Sequence, residues 1–206
     1  MSISPEHPLL LRIADDLADQ GWSQQSVFLP EALTAELAEE CRARARLGLL
    51  QPAGVGRTGT TQINEGIRGD RIQWIEQGQS EACDRYLAML DALRIALNHQ
   101  LFLGLEDFEG HFACYPPGAF YAKHLDRFRD DDRRTVSAVL YLNDDWLPEH
   151  GGQLRIYLPE RTVDVEPKGG CLVVFRSADI PHEVLAANRE RLSLTGWFRR
   201  RGDTPF

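Results

Sequence analysis

Arg191-Leu192-Ser193-Leu194-Thr195-Gly196-Trp197 is the stretch that decides how this chain folds. Read as a strand, it places Arg191, Ser193, Thr195 and Trp197 on one face and Leu192 and Leu194 on the other, because alternate side chains share a face. A packed sheet turns apolar residues inward, so the polar face is either solvated or lines a wet cavity. His182 stands nine residues earlier, and two such residues so close together favour the cavity. His182 itself lies in Asp179-Ile180-Pro181-His182-Glu183, after the apolar run Cys171 to Phe175, which reads as a buried strand ending at a turn.

Working outward, the same short runs of β-formers separated by turns fill the chain from Glu109 onward. They are Phe112 to Tyr115, Val136 to Leu142, Gln153 to Leu158, Thr162 to Val165, Cys171 to Phe175 and Leu192 to Phe198. The N-terminal part reads differently. Leu9 to Gln20 has helical spacing and stops at Gly21, and Trp22 to Phe28 looks extended. Glu31 to Leu47 is a second helix, opened by Pro30 and ended by Gly48. Gln51 to Gly66 is a glycine-rich loop, and Ile67 to Ile75 a strand or hairpin arm. Ser80 caps a third helix, about Glu81 to Phe102. Helices first and strands afterwards give an α+β domain, with antiparallel strands wrapped into a barrel or jelly roll and helices packed outside.

At 206 residues the chain suits one domain, large enough to bury roughly 70% of its unfolded surface. A net charge of −8 argues against a general nucleic-acid binder, and Arg199-Arg200-Arg201 reads as a solvated tail. Asp130-Asp131-Asp132-Arg133 reads as a solvated turn. Cys41, Cys83, Cys114 and Cys171 are too scattered for a zinc knuckle or a disulfide framework, which suits a reducing cytosol. Met1 to Glu6 has no secretory character, and no apolar run approaches the ~20 residues that span a bilayer. The expectation is therefore a cytoplasmic protein with neither membrane nor nucleic acid as partner. Arginine outnumbers lysine 21 to 2 in an Ala- and Leu-rich chain, which hints at a bacterial source.

His124-Leu125-Asp126 carries the chemistry. On a strand, His124 and Asp126 share a face and can grip one metal ion, with His182 arriving from a distant strand as third ligand. Two imidazoles and a carboxylate leave the opposite coordination positions open, the arrangement of a non-haem Fe(II) oxygenase. Arg191 is then placed to hold a dicarboxylate cosubstrate.

These residues resemble those of the 2-oxoglutarate- and Fe(II)-dependent prolyl hydroxylases, in particular the group of the hypoxia-inducible-factor prolyl hydroxylases and their bacterial relatives. The resemblance runs through Ile67-Arg68-Gly69-Asp70-Arg71-Ile72-Gln73-Trp74-Ile75-Glu76, Ala113-Cys114-Tyr115-Pro116, Tyr121-Ala122-Lys123-His124-Leu125-Asp126 and Tyr141-Leu142-Asn143. It continues in Gly151-Gly152-Gln153-Leu154-Arg155-Ile156, Val165-Glu166-Pro167-Lys168, Pro181-His182-Glu183-Val184 and Arg191 to Trp197, about two thirds of the chain in all. It implies a double-stranded β-helix over residues 106–200, braced by a mainly helical 1–105 that includes a substrate lid. By the same resemblance, His124, Asp126 and His182 ligate iron, and Arg191 pairs with the distal carboxylate of 2-oxoglutarate. Tyr141, Tyr115, Thr195 and Trp197 complete the cosubstrate pocket.

Arg68, Asp70 and Trp74 resemble the family's mobile segment that folds over a substrate peptide, with Arg134 near the entrance. An Asp70–Arg134 pair is expected when that lid is closed. The implied reaction is hydroxylation of a prolyl residue, with 2-oxoglutarate and O2 as cosubstrates, succinate and carbon dioxide as coproducts, and ascorbate as reductant. Elongation factor Tu is the first candidate substrate, by resemblance. The alternatives are a hydroxylase of a free amino acid or small metabolite, a non-catalytic binding protein of the same fold, and a zinc hydrolase, since zinc accepts the same ligands. The run from Tyr115 to His124 is one residue shorter and more apolar than in the animal enzymes, which bears on substrate choice. His7, His99, His111 and His150 read as structural or surface residues.

Overall fold

The computed structural model describes residues 3–54, 66–127 and 131–202. Most of the glycine-rich stretch, residues 55–65, and Asp130 of the acidic cluster lie outside the described residues.

Three helices form as the sequence leads one to expect. α1 spans Pro8–Asp19, and the His7 imidazole accepts the Leu9 N–H at its start. Leu10, Ile13, Ala14 and Leu17 make its buried stripe. α2 covers Glu31–Arg46, with Glu31 in its first turn and Arg44 and Arg46 in its last, each complementing the helix dipole. α3 runs Glu81–Leu101, begins where the Ser80 hydroxyl accepts the Cys83 N–H at 3.1 Å, and ends at Phe102 in a left-handed conformation.

Eleven strands are described: β1 Trp22–Gln25, β2 Gln51–Pro52, β3 Arg71–Trp74, β4 Leu105–Tyr115, β5 Tyr121–His124, β6 Arg134–Tyr141, β7 Leu154–Tyr157, β8 Thr162–Val165, β9 Leu172–Arg176, β10 His182–Val184 and β11 Arg191–Arg200. They form a seven-stranded sheet in the order β1-β9-β6-β11-β4-β3-β2 and a four-stranded sheet in the order β5-β10-β7-β8, with every named pairing antiparallel. This is the α+β jelly-roll core with supporting helices that the strand pattern implied. Several segments depart from the reading above: β4 starts seven residues early at Leu105, and β11 runs on to Arg200, so that Arg199, paired with Asp107 and Glu109, belongs to a strand rather than to a solvated tail. Gln51–Pro52 pairs with β3 although it begins the expected loop, and β5 and β10 are strands too short to show alternation.

Alternation along the larger sheet sorts its side chains into two cores. Phe112, Cys114, Val136, Ala138, Leu140, Leu172, Val174, Leu192, Leu194 and Phe198 pack with the three helices. On the opposite face Ala113, Tyr115, Val139, Tyr141, Val173 and Phe175 meet Leu154, Ile156, Val165 and Val184 from the smaller sheet. The polar face of β11 therefore looks between the sheets, and Arg191, Thr195 and Trp197 line a cavity there, while Ser193 is fully buried against Thr195. All four cysteines are free and buried, in keeping with their spacing. Among the described residues no helix is long and apolar enough to cross a membrane.

Candidate active site

The two-sheet interior opens into a cavity of about 1250 Å³, lined among others by His124, Asp126, His182, Arg191, Tyr115, Thr195 and Trp197. Pairing of β5 with β10 sets His182 directly opposite His124. Each imidazole donates its Nδ1–H to the carbonyl two residues before it, His124 to Ala122 at 2.7 Å and His182 to Ile180 at 3.1 Å. A carbonyl only accepts, so the tautomer is fixed and both Nε2 lone pairs are left for a ligand. Those atoms lie 3.5 Å and 3.6 Å from the two Asp126 carboxylate oxygens. One donor atom from each residue falls within 4.8 Å of the others, a spacing suited to a single ion.

Asp126 corrects the strand argument. β5 ends at His124, so the i,i+2 relation does not place both side chains on one strand face; Asp126 lies in the bend beyond and is turned inward by its contacts. The Ser137 hydroxyl donates to its Oδ2 at 2.7 Å, and Ser137 in turn meets Ser177 at 2.8 Å. Burial would raise the Asp126 carboxyl, but the His182 and His124 imidazoles and the Ser137 hydroxyl outweigh it and hold the group well below the usual carboxylate range. Burial lowers the His182 imidazole, with the Asp126 carboxylate opposing that shift. Tyr121 stacks on His124 with centroids 3.7 Å apart, and Phe175 packs against His182.

Arg191 is 1% exposed, a guanidinium carried into the interior. Its Nε donates to the Gly152 carbonyl at 2.8 Å, its Nη2 has no partner, and it sits 5.0 Å and 5.2 Å from the Tyr115 and Tyr141 ring centroids. Tyr141 is fully buried and its hydroxyl faces the Arg191 guanidinium without a well-formed hydrogen bond. Among the described residues no carboxylate forms an ion pair with Arg191. A buried cation without a counter-charge is costly by several kcal/mol, so these groups are arranged for an anion from outside the chain. The donor set therefore fits a small dicarboxylate at one end and a divalent iron at the other.

Of the residues expected at a lid and at the entrance, Arg68, Trp74 and Arg134 line the same cavity, while Asp70 is buried. The expected Asp70–Arg134 pair is not formed. Arg68 holds Asp70 bidentately at 2.6 Å and 2.9 Å, because the two alternate on one short extended segment, and Arg68 also lies over the Tyr121 ring. Arg134 reaches Glu109 at 2.9 Å and stacks over Trp197 at 3.4 Å.

Sequence reading missed Ser137, Gly152, Asn143 and His111. Asn143 is buried and bonds both the N–H and C=O of Leu192, which fixes the start of β11. Gly151 and Gly152 both take φ +72°, and a side chain on Gly152 would crowd Trp146 and the Arg191 stem. The Gly151-Gly152 doublet was a visible signal of that close approach, whereas nothing local marks Ser137 or His111.

Residues 110–199 match the model of the 2OG-Fe(II) oxygenase superfamily. A prolyl-4-hydroxylase from Pseudomonas putida of known structure is 64% identical and superposes with a TM-score of 0.87 over 94% of this chain and 100% of that one. Human Egl nine homolog 1 is 36% identical over 182 residues, or 83% of this chain; the chain spans about two fifths (42%) of that relative's length. A Trichoplax adhaerens prolyl hydroxylase, solved with a hypoxia-inducible-factor degradation-domain peptide, is 27% identical, with a TM-score of 0.83 over 93% of this chain and 89% of its own. With the resemblance of fold, triad and matched length all in agreement, the chain belongs to the 2-oxoglutarate- and Fe(II)-dependent oxygenases, within the group of hypoxia-inducible-factor-type prolyl hydroxylases.

Proposed function

We propose that this chain, one oxygenase domain over residues 1–206, hydroxylates a prolyl residue of a protein substrate. His124, Asp126 and His182 would hold Fe(II). Arg191 and Tyr141 would hold the distal carboxylate of 2-oxoglutarate, with Tyr115, Thr195 and Trp197 as walls. When bound, iron and 2-oxoglutarate together activate O2, with decarboxylation of the cosubstrate to succinate, and so supply the oxidation of a C–H bond. The protein's own part is to orient and to exclude water. The Ala122 and Ile180 carbonyls fix the imidazoles, Ser137 fixes the carboxylate, and Phe175 and Tyr121 wall the site.

The observation that carries this reading is the unpaired, buried Arg191 in the same cavity as the triad. A zinc hydrolase has no use for it, and a non-catalytic binding protein has no need to keep it together with all three ligands of the triad. The cavity exceeds the ~300–1,000 Å³ usual for a small-ligand site, which favours a peptide over a free amino acid or metabolite. Arg68, Trp74 and Arg134 on its wall suit such a peptide. Elongation factor Tu is the first candidate substrate, ascorbate the reductant that maintains Fe(II), the cytoplasm the location, and an oxygen-dependent rate the route to a sensing role. Neither a nucleic acid nor a membrane is proposed as partner.

The test is aerobic incubation with Fe(II), ascorbate and 2-oxoglutarate, with and without elongation factor Tu, followed by peptide mass spectrometry. One oxygen on a proline, dependent on 2-oxoglutarate and lost in Asp126→Ala, is the expected result. Asp126-dependent succinate without any modified proline would keep the oxygenase and discard that substrate. Absence of both signals would overturn the reading. A rate that saturates far below ambient oxygen would remove the sensing role.

A further inference from the structure

His111 of β4 forms a cross-strand row with Trp74 of β3 and Thr195 of β11, and Trp197 stands two residues along on the same face of β11. The His111 ring lies 5.2 Å from Trp74 and 5.7 Å from Trp197, and the two indoles are 6.4 Å apart. His111 is 1% exposed and Trp197 is 5% exposed. The Nδ1 of His111 donates to the Phe112 carbonyl at 3.1 Å, so the neutral ring keeps its lone pair on Nε2, and that atom has no partner. The indole N–H of Trp197 is buried and unpartnered as well. A free acceptor and a free donor thus sit on neighbouring rings that line the cavity shared with His124 and Asp126. Leaving buried polar atoms unsatisfied costs free energy, so each such pair calls for a ligand that supplies the missing bonds.

We propose that His111 and Trp197 form an amide-recognition subsite in the cavity that holds the candidate iron site, covered by Trp74, where a substrate N–H is accepted by His111 and a substrate C=O takes the Trp197 N–H. The proposal rests on the prolyl hydroxylase reading of the cavity. A prolyl residue within a chain has no N–H of its own, so the donor has to come from the next residue's main chain or from a side-chain carboxamide. Trp197's face is occupied by the Arg134 guanidinium, which leaves its N–H edge for the ligand. The groups facing His111 are Arg68, Asp70 and Arg134; burial first, then the Arg68 cation, pushes its imidazole down to about 4, so it remains an acceptor at neutral pH. Trp74 is 45% exposed at the end of a four-residue strand that lies between β4 and the two-residue β2, near the sheet edge, and outward rotation of its indole would uncover both atoms.

The experiment uses ¹⁵N-labelled protein loaded with Zn(II) and 2-oxoglutarate, titrated with N-acetylproline N-methylamide, N-acetylproline dimethylamide and propionamide, with the Trp197 indole N–H resonance as readout. The methylamide should move that resonance, and the dimethylamide, which lacks the N–H, should bind roughly tenfold more weakly. His111→Leu should equalise the two, and His111→Gln, which keeps an acceptor, should restore part of the difference and serves if the Leu variant does not fold. If propionamide reproduces the shift and the proline methylamide does not, the source is a side-chain carboxamide. Equal binding of both proline amides by the unmutated protein, or an indole unmoved by all three probes, would leave buried water as the only partner and overturn the subsite. Proline hydroxylation, scored separately by mass, keeps the two readings apart. Turnover without amide discrimination sinks the subsite alone, and discrimination without turnover sinks the reaction alone.

Discussion

Arg191 and Ser137 each act on the site through a bond that sequence spacing cannot show. Arg191→Lys keeps the charge but loses the planar fork, so the KM for 2-oxoglutarate should rise roughly tenfold to a hundredfold while the fold survives. Succinate formation at varied cosubstrate measures this, and an unchanged KM would detach Arg191 from the cosubstrate. Ser137→Ala frees the Asp126 carboxylate that it orients. Metal affinity, followed by calorimetric titration with Mn(II), should fall roughly tenfold to a hundredfold, as is usual for groups that position a ligand. His111 sets a pH dependence. Its folded pKa, about 4, lies below the unfolded value of about 6.5. The unfolded chain therefore binds the extra proton first, and stability declines as pH falls from about 6.5 towards 4. In His111→Leu this part of the acid slope should vanish, which urea unfolding at pH 7 and pH 5 would reveal.

At the scale of elements, β11 is the central connection of the larger sheet, paired with β4 on one side and β6 on the other. Gly196 faces Gly110 across that pairing, and a Cβ there would collide with the Glu109 carbonyl, the Phe108 ring and the Gly110 backbone. Backbone cannot give way as a flexible side chain can, so Gly196→Ala should destabilise by about 1–3 kcal/mol or more. A Tm within a degree of the unmutated protein would show that the strands separate freely. Helix α3 braces the sheet through Tyr86, Leu90, Leu93 and Leu97, all fully buried. Leu93→Ala should cost about 2–5 kcal/mol, yet leave the KM for 2-oxoglutarate unchanged below the new melting temperature, because this core lies on the far side of the sheet from the cavity.

At the scale of the whole molecule, the Arg68–Asp70 pair ties the segment before β3 to β5, where Gly69 N–H bonds the Phe120 carbonyl and Arg68 bridges to Tyr121. Asp70→Ala strands a buried guanidinium, and breaking such a pair costs about 3–5 kcal/mol.

The sequence by itself determined the three helices, the strand character of β4, β6 and β9, the two-faced alternation of β11 with its polar inner face, and the residue types of the triad. Each of these is a local pattern repeated over enough residues to be read. Only the tertiary structure decided that His182 faces His124 across β5 and β10, that Asp126 is aimed by Ser137 rather than by strand alternation, and that Asp70 belongs to Arg68. It also moved His111 from a structural residue to the wall of the cavity. Strands of three or four residues carry no periodicity, and a side chain's partner across two sheets is set by register and packing, which no stretch of sequence contains.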